Sequence, residues 1–258
     1  MHTLQDKVII VTGSTMGIGE AIARQAVEAG ARVLLHGLEK PEGQRVTASL
    51  GDRAAFHHDD LSDPAAAPRL VDAAIRAFGK INAVVNNAAW VVRGRIEDVT
   101  PDFFDRCMAV NVRAPLLLIQ AALPHLSATK GSVVNIGSVN AYCGEENLLP
   151  YSISKGALMT LTRNLGDTLH RQHGVRVNQV NPGWVLTDAE RHRKHAEGMA
   201  HDWPAHLSNM FAPAGRLFTP AEIAATVLHF LSDSFGPVSG SVLDLEQHPF
   251  IGRNPPKL

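Results

Sequence analysis

Only two of the 258 residues are tyrosines. One of them, Tyr151, has a lysine four residues on, Lys155, and a serine 13 residues before it, Ser138. On a helix, residues four apart lie on one face, so the Lys155 ammonium is expected beside the Tyr151 phenol. A phenol of pKa about 10 must fall by some three units, roughly 4 kcal/mol, to exchange protons near neutrality. One cation at about 4 Å in an effective dielectric near 20 supplies an energy of that size. Ser138 adds a hydroxyl that can donate to a carbonyl or alkoxide oxygen. Such a trio moves a proton to or from an oxygen whose carbon is being reduced or oxidised, with Tyr151 as acid in one direction and base in the other. Nucleophilic attack by Ser138 is disfavoured. Its setting, Asn135-Ile136-Gly137-Ser138-Val139, is not the G-x-S-x-G turn of a hydrolase.

A second group of residues is suited to an anion. Thr12-Gly13-Ser14-Thr15-Met16-Gly17-Ile18-Gly19 runs from an apolar segment straight into a helical pattern. Glycines there permit φ > 0 and close approach of a ligand, and the first N–H groups of the helix face it. A bare glycine-rich turn is the alternative. Placement after the first strand of a doubly wound pattern favours a dinucleotide pyrophosphate.

These groups must be carried by strands and helices, and the apolar runs say which. Strands are expected at Lys7–Thr12, Arg32–His36, Ala54–His57, Ala83–Asn86, Ser132–Ile136, Arg176–Val180 and Ser241–Asp244. Between them, Gly17–Ala29, Pro64–Phe78, Asp102–Leu126, Ser152–Gln172 and Pro220–Leu231 place apolar residues at three- and four-residue spacing. The alternation predicts an α/β chain, residues 1–258 forming a single doubly wound Rossmann domain with a seven-stranded parallel sheet and helices on both faces. Ser138 then follows the fifth strand, at the carboxyl edge where ligands of open α/β folds bind. The polar stretch 188–214 breaks the rhythm and is expected to be a substrate lid. Its histidines include His192 and His195, three apart with no cysteine or second tight pair, so no metal site is expected.

Composition narrows the functional classes. The chain is 45% hydrophobic and 19% charged, with net charge −1. That suits a folded core and gives no electrostatic footprint for nucleic acid or an anionic membrane. Two cysteines, no signal-like N-terminus and no run of about 18 apolar residues lead to the expectation of a cytoplasmic protein.

Taken in order, Thr12-Gly-x-x-x-Gly-Ile-Gly19, Asn86-Asn87-Ala88-Ala89, Asn111, Ser138, Tyr151-x-x-x-Lys155 and Asn181-Pro182-Gly183 resemble the short-chain dehydrogenase/reductase family over the whole chain. Ala89 stands where that family usually has Gly. The resemblance implies hydride transfer between NAD(P) and a secondary alcohol or ketone. Asn111, Ser138, Tyr151 and Lys155 would be catalytic, Asn111 holding a water that passes protons to Lys155, and Lys155 also bonding the nicotinamide ribose. It implies cofactor contacts from Gly13, Met16, Gly17, Ile18, Gly19, Leu38, Asp60, Leu61, Asn87, Tyr151, Lys155, Pro182, Gly183, Val185 and Thr187, with Asp60 at the adenine. It also implies a homotetramer built through the long helices Asp102–Leu126 and Ser152–Gln172 and through the last helix and strand, the tail Glu246 to Leu258 being covered as well.

Cofactor choice turns on charge. The family's NAD-selecting Asp is replaced by Gly37, and its NADP-selecting basic residue is absent at both Leu38 and Met16. Glu39 would repel a 2′-phosphate unless Lys40 or Arg53 folded in, so NAD is favoured over NADP. Substrate contacts are expected from Trp90, Asn140, Glu146 and Trp184, a set suited to a small sugar, polyol or hydroxy acid. Two alternatives remain, a 3-oxoacyl thioester reductase and a non-catalytic dinucleotide-binding sensor.

Overall fold

A computed structural model describes residues 4–142 and 144–248. Its strands are β1 (Val8–Val11), β2 (Arg32–Gly37), β3 (Ala54–His58), β4 (Ala83–Asn86), β5 (Ser132–Ile136), β6 (Arg176–Pro182) and β7 (Val242–Leu245). They form one seven-stranded sheet in the order β3-β2-β1-β4-β5-β6-β7, and every neighbouring pair is parallel. The crossover direction reverses between β1 and β4, which opens a crevice at their carboxyl ends. β1, β4, β5 and β6 are buried along their whole length, because helices cover both faces.

The helices are α1 (Gly17–Glu28), α2 (Lys40–Leu50), α3 (Ala66–Phe78), α4 (Pro101–Met108), α5 (Ala114–Thr129), α6 (Leu149–His173), α7 (Asp188–Ala196) and α8 (Pro220–Leu231). One core joins α1 and α8 to one face of the sheet, with Ile22, Ala26, Ile223 and Val227 fully buried; the other sets Leu70, Leu118, Ile119 and Leu126 against the opposite face. Two helix boundaries show a local cause. Thr219 and Glu222 form a reciprocal capping box at α8. Gly174, left-handed at φ 70°, ends α6.

Two expectations need correction. The single helix expected at Asp102–Leu126 is α4 and α5 joined by a π-helical turn, Ala109–Arg113. Pro64 lies ahead of its helix, which begins at Ala66. The stretch 188–214, expected as a substrate lid, carries α7, a 3₁₀ turn at Trp203–His206 and a small apolar cluster of Trp203, Ala212 and Leu217. Trp203 stacks on Trp184 with ring centres 5.5 Å apart. Arg93, on the loop after β4, lies 3.6 Å from the Glu197 carboxylate and ties the end of α7 to that loop.

The joined run Pro101–Thr129 is long and apolar enough to cross a membrane by composition alone, but its inner side chains belong to the second core. Of the tail discussed above, residues 249–258 lie outside the described residues.

Candidate active site

β5 and α6 bring the proton-transfer trio to one cleft at the carboxyl edge of the sheet, where Ser138, Tyr151 and Lys155 all line the wall. Ser138 follows β5 directly. Its backbone N–H donates to Asn181 Oδ1 at 3.1 Å, and its Oγ accepts from the Asn140 N–H at 3.1 Å. The same hydroxyl is hydrogen-bonded to Tyr151. Lys155, 2% exposed, directs Nζ to the carbonyl oxygen of Ile136 at 2.6 Å and lies 5.4 Å from the Tyr151 ring centre. Burial pushes the Tyr151 phenol up to about 12, against a lowering from Ser138, and burial pulls the Lys155 ammonium down to about 8. The expected lowering of the phenol by Lys155 is therefore not present in the protein alone. Desolvation of the phenolate dominates, and the ammonium is turned to Ile136.

Asn111 stands behind this wall, fully buried in the π-helical turn. Its Oδ1 accepts from the Trp90 N–H at 2.7 Å, and its Nδ2 faces Trp90 O at 3.2 Å, Ser154 Oγ at 3.0 Å and Cys107 Sγ at 3.4 Å. The amide thus holds the chain leaving β4. None of these partners is Lys155.

The other half of the cleft fits a dinucleotide. Gly13 is left-handed at φ 61°, and a Cβ there would come within 2.8 Å of Ala88 Cα. A Cβ on Gly19 would stand 2.1 Å from Gly13 O, so the turn closes only with glycine. Gly17, at φ 58°, completes the turn, and Asn87 Nδ2 braces it by donating to Thr12 O and Gly13 O, each at 2.9 Å. No side chain caps the start of α1 at Met16, which leaves the N–H groups around Ile18 available to a pyrophosphate. Met16, Leu38, Asp60, Leu61, Pro182, Gly183, Val185 and Thr187 also line this cleft. Asp60 Oδ1 accepts from the Ser62 N–H at 2.8 Å, so it serves the turn into α3 as well.

His36 is a member of this half that the sequence did not single out. Its Nδ1 accepts from the Gly13 N–H at 3.3 Å, and its Nε2 meets Asp59 O at 3.1 Å. Burial holds it down at about 4, so it is neutral and joins the glycine turn to the ends of β2 and β3.

Residues 13–246 match the family described as enoyl-(acyl carrier protein) reductase. The chain is 37% identical over 248 residues to the short-chain dehydrogenase/reductase FrzI of Cladobotryum sp, covering 94% of this chain and 95% of that one. The chain belongs to the short-chain dehydrogenase/reductase family. It is also 31% identical over 257 residues to meso-2,3-butanediol dehydrogenase of Serratia marcescens, covering 98% of both chains. Among solved structures, it is similar to 3-ketoacyl-(acyl-carrier-protein) reductase from Brucella melitensis, complexed with NADH. The TM-score is 0.83 at 28% identity, over 94% of this chain and 98% of that one. This short-chain dehydrogenase/reductase is an NAD(P)-dependent oxidoreductase acting on secondary alcohols or ketones.

At the substrate end of this dehydrogenase the expected residues separate. Trp90 and Trp184 line the catalytic cleft, whereas Asn140 and Glu146 line a neighbouring hollow with Arg95 and Tyr142. Asn140 meets Ser138 through its backbone, and Glu146 is drawn outward to Arg95 at 3.5 Å. Two charged residues join the cleft instead. Arg106 lies over the Trp90 ring at 5.3 Å, and Glu190 accepts from Trp184 Nε1 at 2.8 Å while pairing with Arg193. Glu190 was legible in Thr187-Asp-Ala-Glu190, a helix-start signature, since Thr187 Oγ1 accepts the Glu190 N–H at 3.1 Å.

Proposed function

We propose that this short-chain dehydrogenase/reductase prefers NAD and acts on a small polar secondary alcohol or its ketone. Glu39 carries the cofactor preference. Its carboxylate accepts from Thr15 Oγ1 at 3.2 Å and lines the dinucleotide cleft beside Gly37 and Leu38. A Cβ on Gly37 would stand 2.4 Å from Thr15 Cγ2, so Thr15 fills the space the family's Asp would use and hands the acidic role to Glu39. Arg53, which could have offset that charge, donates to Gly30 O at 3.0 Å. A 2′-hydroxyl can donate to Glu39, whereas a 2′-phosphate is repelled.

A nicotinamide held in this cleft would supply the hydride-transfer chemistry. Ser138 and Tyr151 hold the substrate oxygen, and Tyr151 gives or takes its proton. Lys155 would hold the ribose of a bound dinucleotide and carry its charge beside the phenol. Asn111 fixes the π-helical turn from which a water can reach Lys155. The indoles of Trp90 and Trp184, with Glu190 and Arg106 at their edges, suit a substrate with a hydrocarbon face and hydroxyl or carboxylate groups. The similarity to a 3-ketoacyl-(acyl-carrier-protein) reductase keeps a 3-oxoacyl thioester as the second reading.

The active form is proposed to be a homotetramer in the cytoplasm. Leu116 on α5 and Ile153 on α6 are 42% and 44% exposed and suit burial against other copies. Two cysteines in 258 residues suit a reducing compartment. A panel of polyols, sugars, hydroxy acids and an acetoacetyl thioester, assayed with NAD(H) and NADP(H), tests the activity. Turnover confined to the thioester, or to NADP(H), overturns the first reading.

A further inference from the structure

A line of mostly buried polar side chains runs from β4 through β5, α6 and β6 to β7, passing beside Ser138 at Asn181. Asn86 Nδ2 donates to Asn135 Oδ1 at 2.8 Å, and Asn135 Nδ2 donates to Thr162 Oγ1 at 2.8 Å. Thr162 Oγ1 lies 2.8 Å from Gln179 Oε1, and Gln179 Nε2 donates to Asn181 Oδ1 at 2.7 Å. Asn181 Nδ2 then donates to Asp244 Oδ1 at 2.9 Å. Asn135, Thr162, Gln179 and Asn181 are all fully buried, while Asp244 is exposed on β7, the last strand of the sheet.

Each amide in such a line can face two ways, and only one direction serves the site. With Oδ1 turned inward, Asn181 accepts both Gln179 Nε2 and the Ser138 N–H. Turned round, its NH₂ group would face two donors and leave the Ser138 N–H buried and unpaired. Asp244 removes the choice, because a carboxylate only accepts and so draws Nδ2 outward. Tyr142, the other tyrosine of the chain, closes the corner with hydrogen bonds to both Asp244 and Asn181. Both tyrosines therefore bear on Ser138, Tyr151 through its hydroxyl and Tyr142 through the amide that holds its backbone.

We infer that Asp244 is a positioning residue for the hydride-transfer reaction, fixing the direction of the Asn181 amide and thereby the orientation of Ser138 toward Tyr151. The inference rests on Ser138 acting at the substrate oxygen as proposed above.

Three isosteric variants test it without altering volume. Asp244→Asn leaves a partner that can itself turn round, so kcat should fall about tenfold with the Kd for NAD(H) unchanged. Asn181→Asp sets two carboxylates together and should fall at least as far. The exchange variant, Asn181→Asp with Asp244→Asn, restores one acceptor inside and one donor outside, and should recover most of kcat with the wild-type net charge. A role in packing or folding alone would move the melting temperature and leave no reason for the exchange to rescue turnover. Wild-type kcat in Asp244→Asn, or an exchange variant no faster than the slower single variant, overturns the inference. Ser138→Ala, measured alongside, separates the two levels: full activity there refutes the role of Ser138 itself, whereas a loss there with an unaffected Asp244→Asn refutes only Asp244.

Discussion

The Lys155 ammonium lies 5.4 Å from the centre of the Tyr151 ring, yet its hydrogen bond runs to Ile136 O at 2.6 Å. The two side chains share a helix face but not a hydrogen bond. The phenol accordingly stays protonated near neutrality, its pKa raised by burial to about 12.

Tyr151→Phe should bind NAD(H) with near wild-type affinity and lose turnover by about 10³-fold or more, in the range of a missing general acid. Fluorescence titration of the reduced cofactor and steady-state rates check the two halves. Near wild-type turnover would exclude Tyr151 from proton transfer.

Ser138→Ala should lower kcat by about 10²- to 10³-fold, as for one lost donor to a developing oxyanion. KM for the cofactor should not move, because Ser138 faces the substrate end. A change confined to cofactor KM would contradict that placement.

Lys155 carries a stability signature. Its value of about 8 in the fold lies below the 10.5 of an unfolded lysine. Between those values the unfolded chain binds more protons, so the stability of the wild type rises as pH goes from 8 to 10.5. Below 8 the buried charge costs about 3 kcal/mol, from some 2.5 units at 1.36 kcal/mol each. Lys155→Met should be inactive, and its stability relative to the wild type should shrink by that order between pH 7.5 and 10. Denaturant melts at the two pH values measure it, and a pH-independent difference would refute it. Tyr151 acts in the opposite sense only above pH 10, where the unfolded phenol ionises first.

Wild-type kcat/KM should favour NAD over NADP by about ten- to a hundredfold, because a unit repulsion at about 4 Å and a dielectric near 20 is about 4 kcal/mol before water screens part of it. Leu38→Arg should narrow that preference by giving the phosphate a forked donor. Equal or better kinetics with NADP in the unmodified enzyme would show that Glu39 does not meet the ribose.

How far the sequence disclosed this molecule depends on which interactions each residue obeys. Ala83–Asn86 and Ser132–Ile136 were legible to the residue because central parallel strands are apolar on both faces. α2 was passed over because only Gly43 and Val46 of its residues are buried, too few to set a period. Trp90 could be placed in the cleft from the strand it follows, but Asn140 could not. The short turn at Val139–Ala141 gives Ser138 its backbone and turns Asn140 toward the other hollow. Thr15 against Gly37 and Asp244 against Asn181 are contacts between distant segments, and no local pattern records them.

The π-helical turn at Ala109–Arg113 sets the rotational phase of everything after it. Such a turn takes up one extra residue of the ladder, so the side chains beyond it keep the bearing an unbroken helix one residue shorter would give them. It leads from α4, with Cys107 buried, to α5, with Leu118, Ile119, Ala122 and Leu126 buried. Deleting one residue of the turn, such as Val110, would close the run into an unbroken α-helix with those four side chains still on the sheet. The same deletion made inside α5, where no wider turn absorbs it, would rotate every later residue by about 100° and should be as damaging as the loss of several core residues.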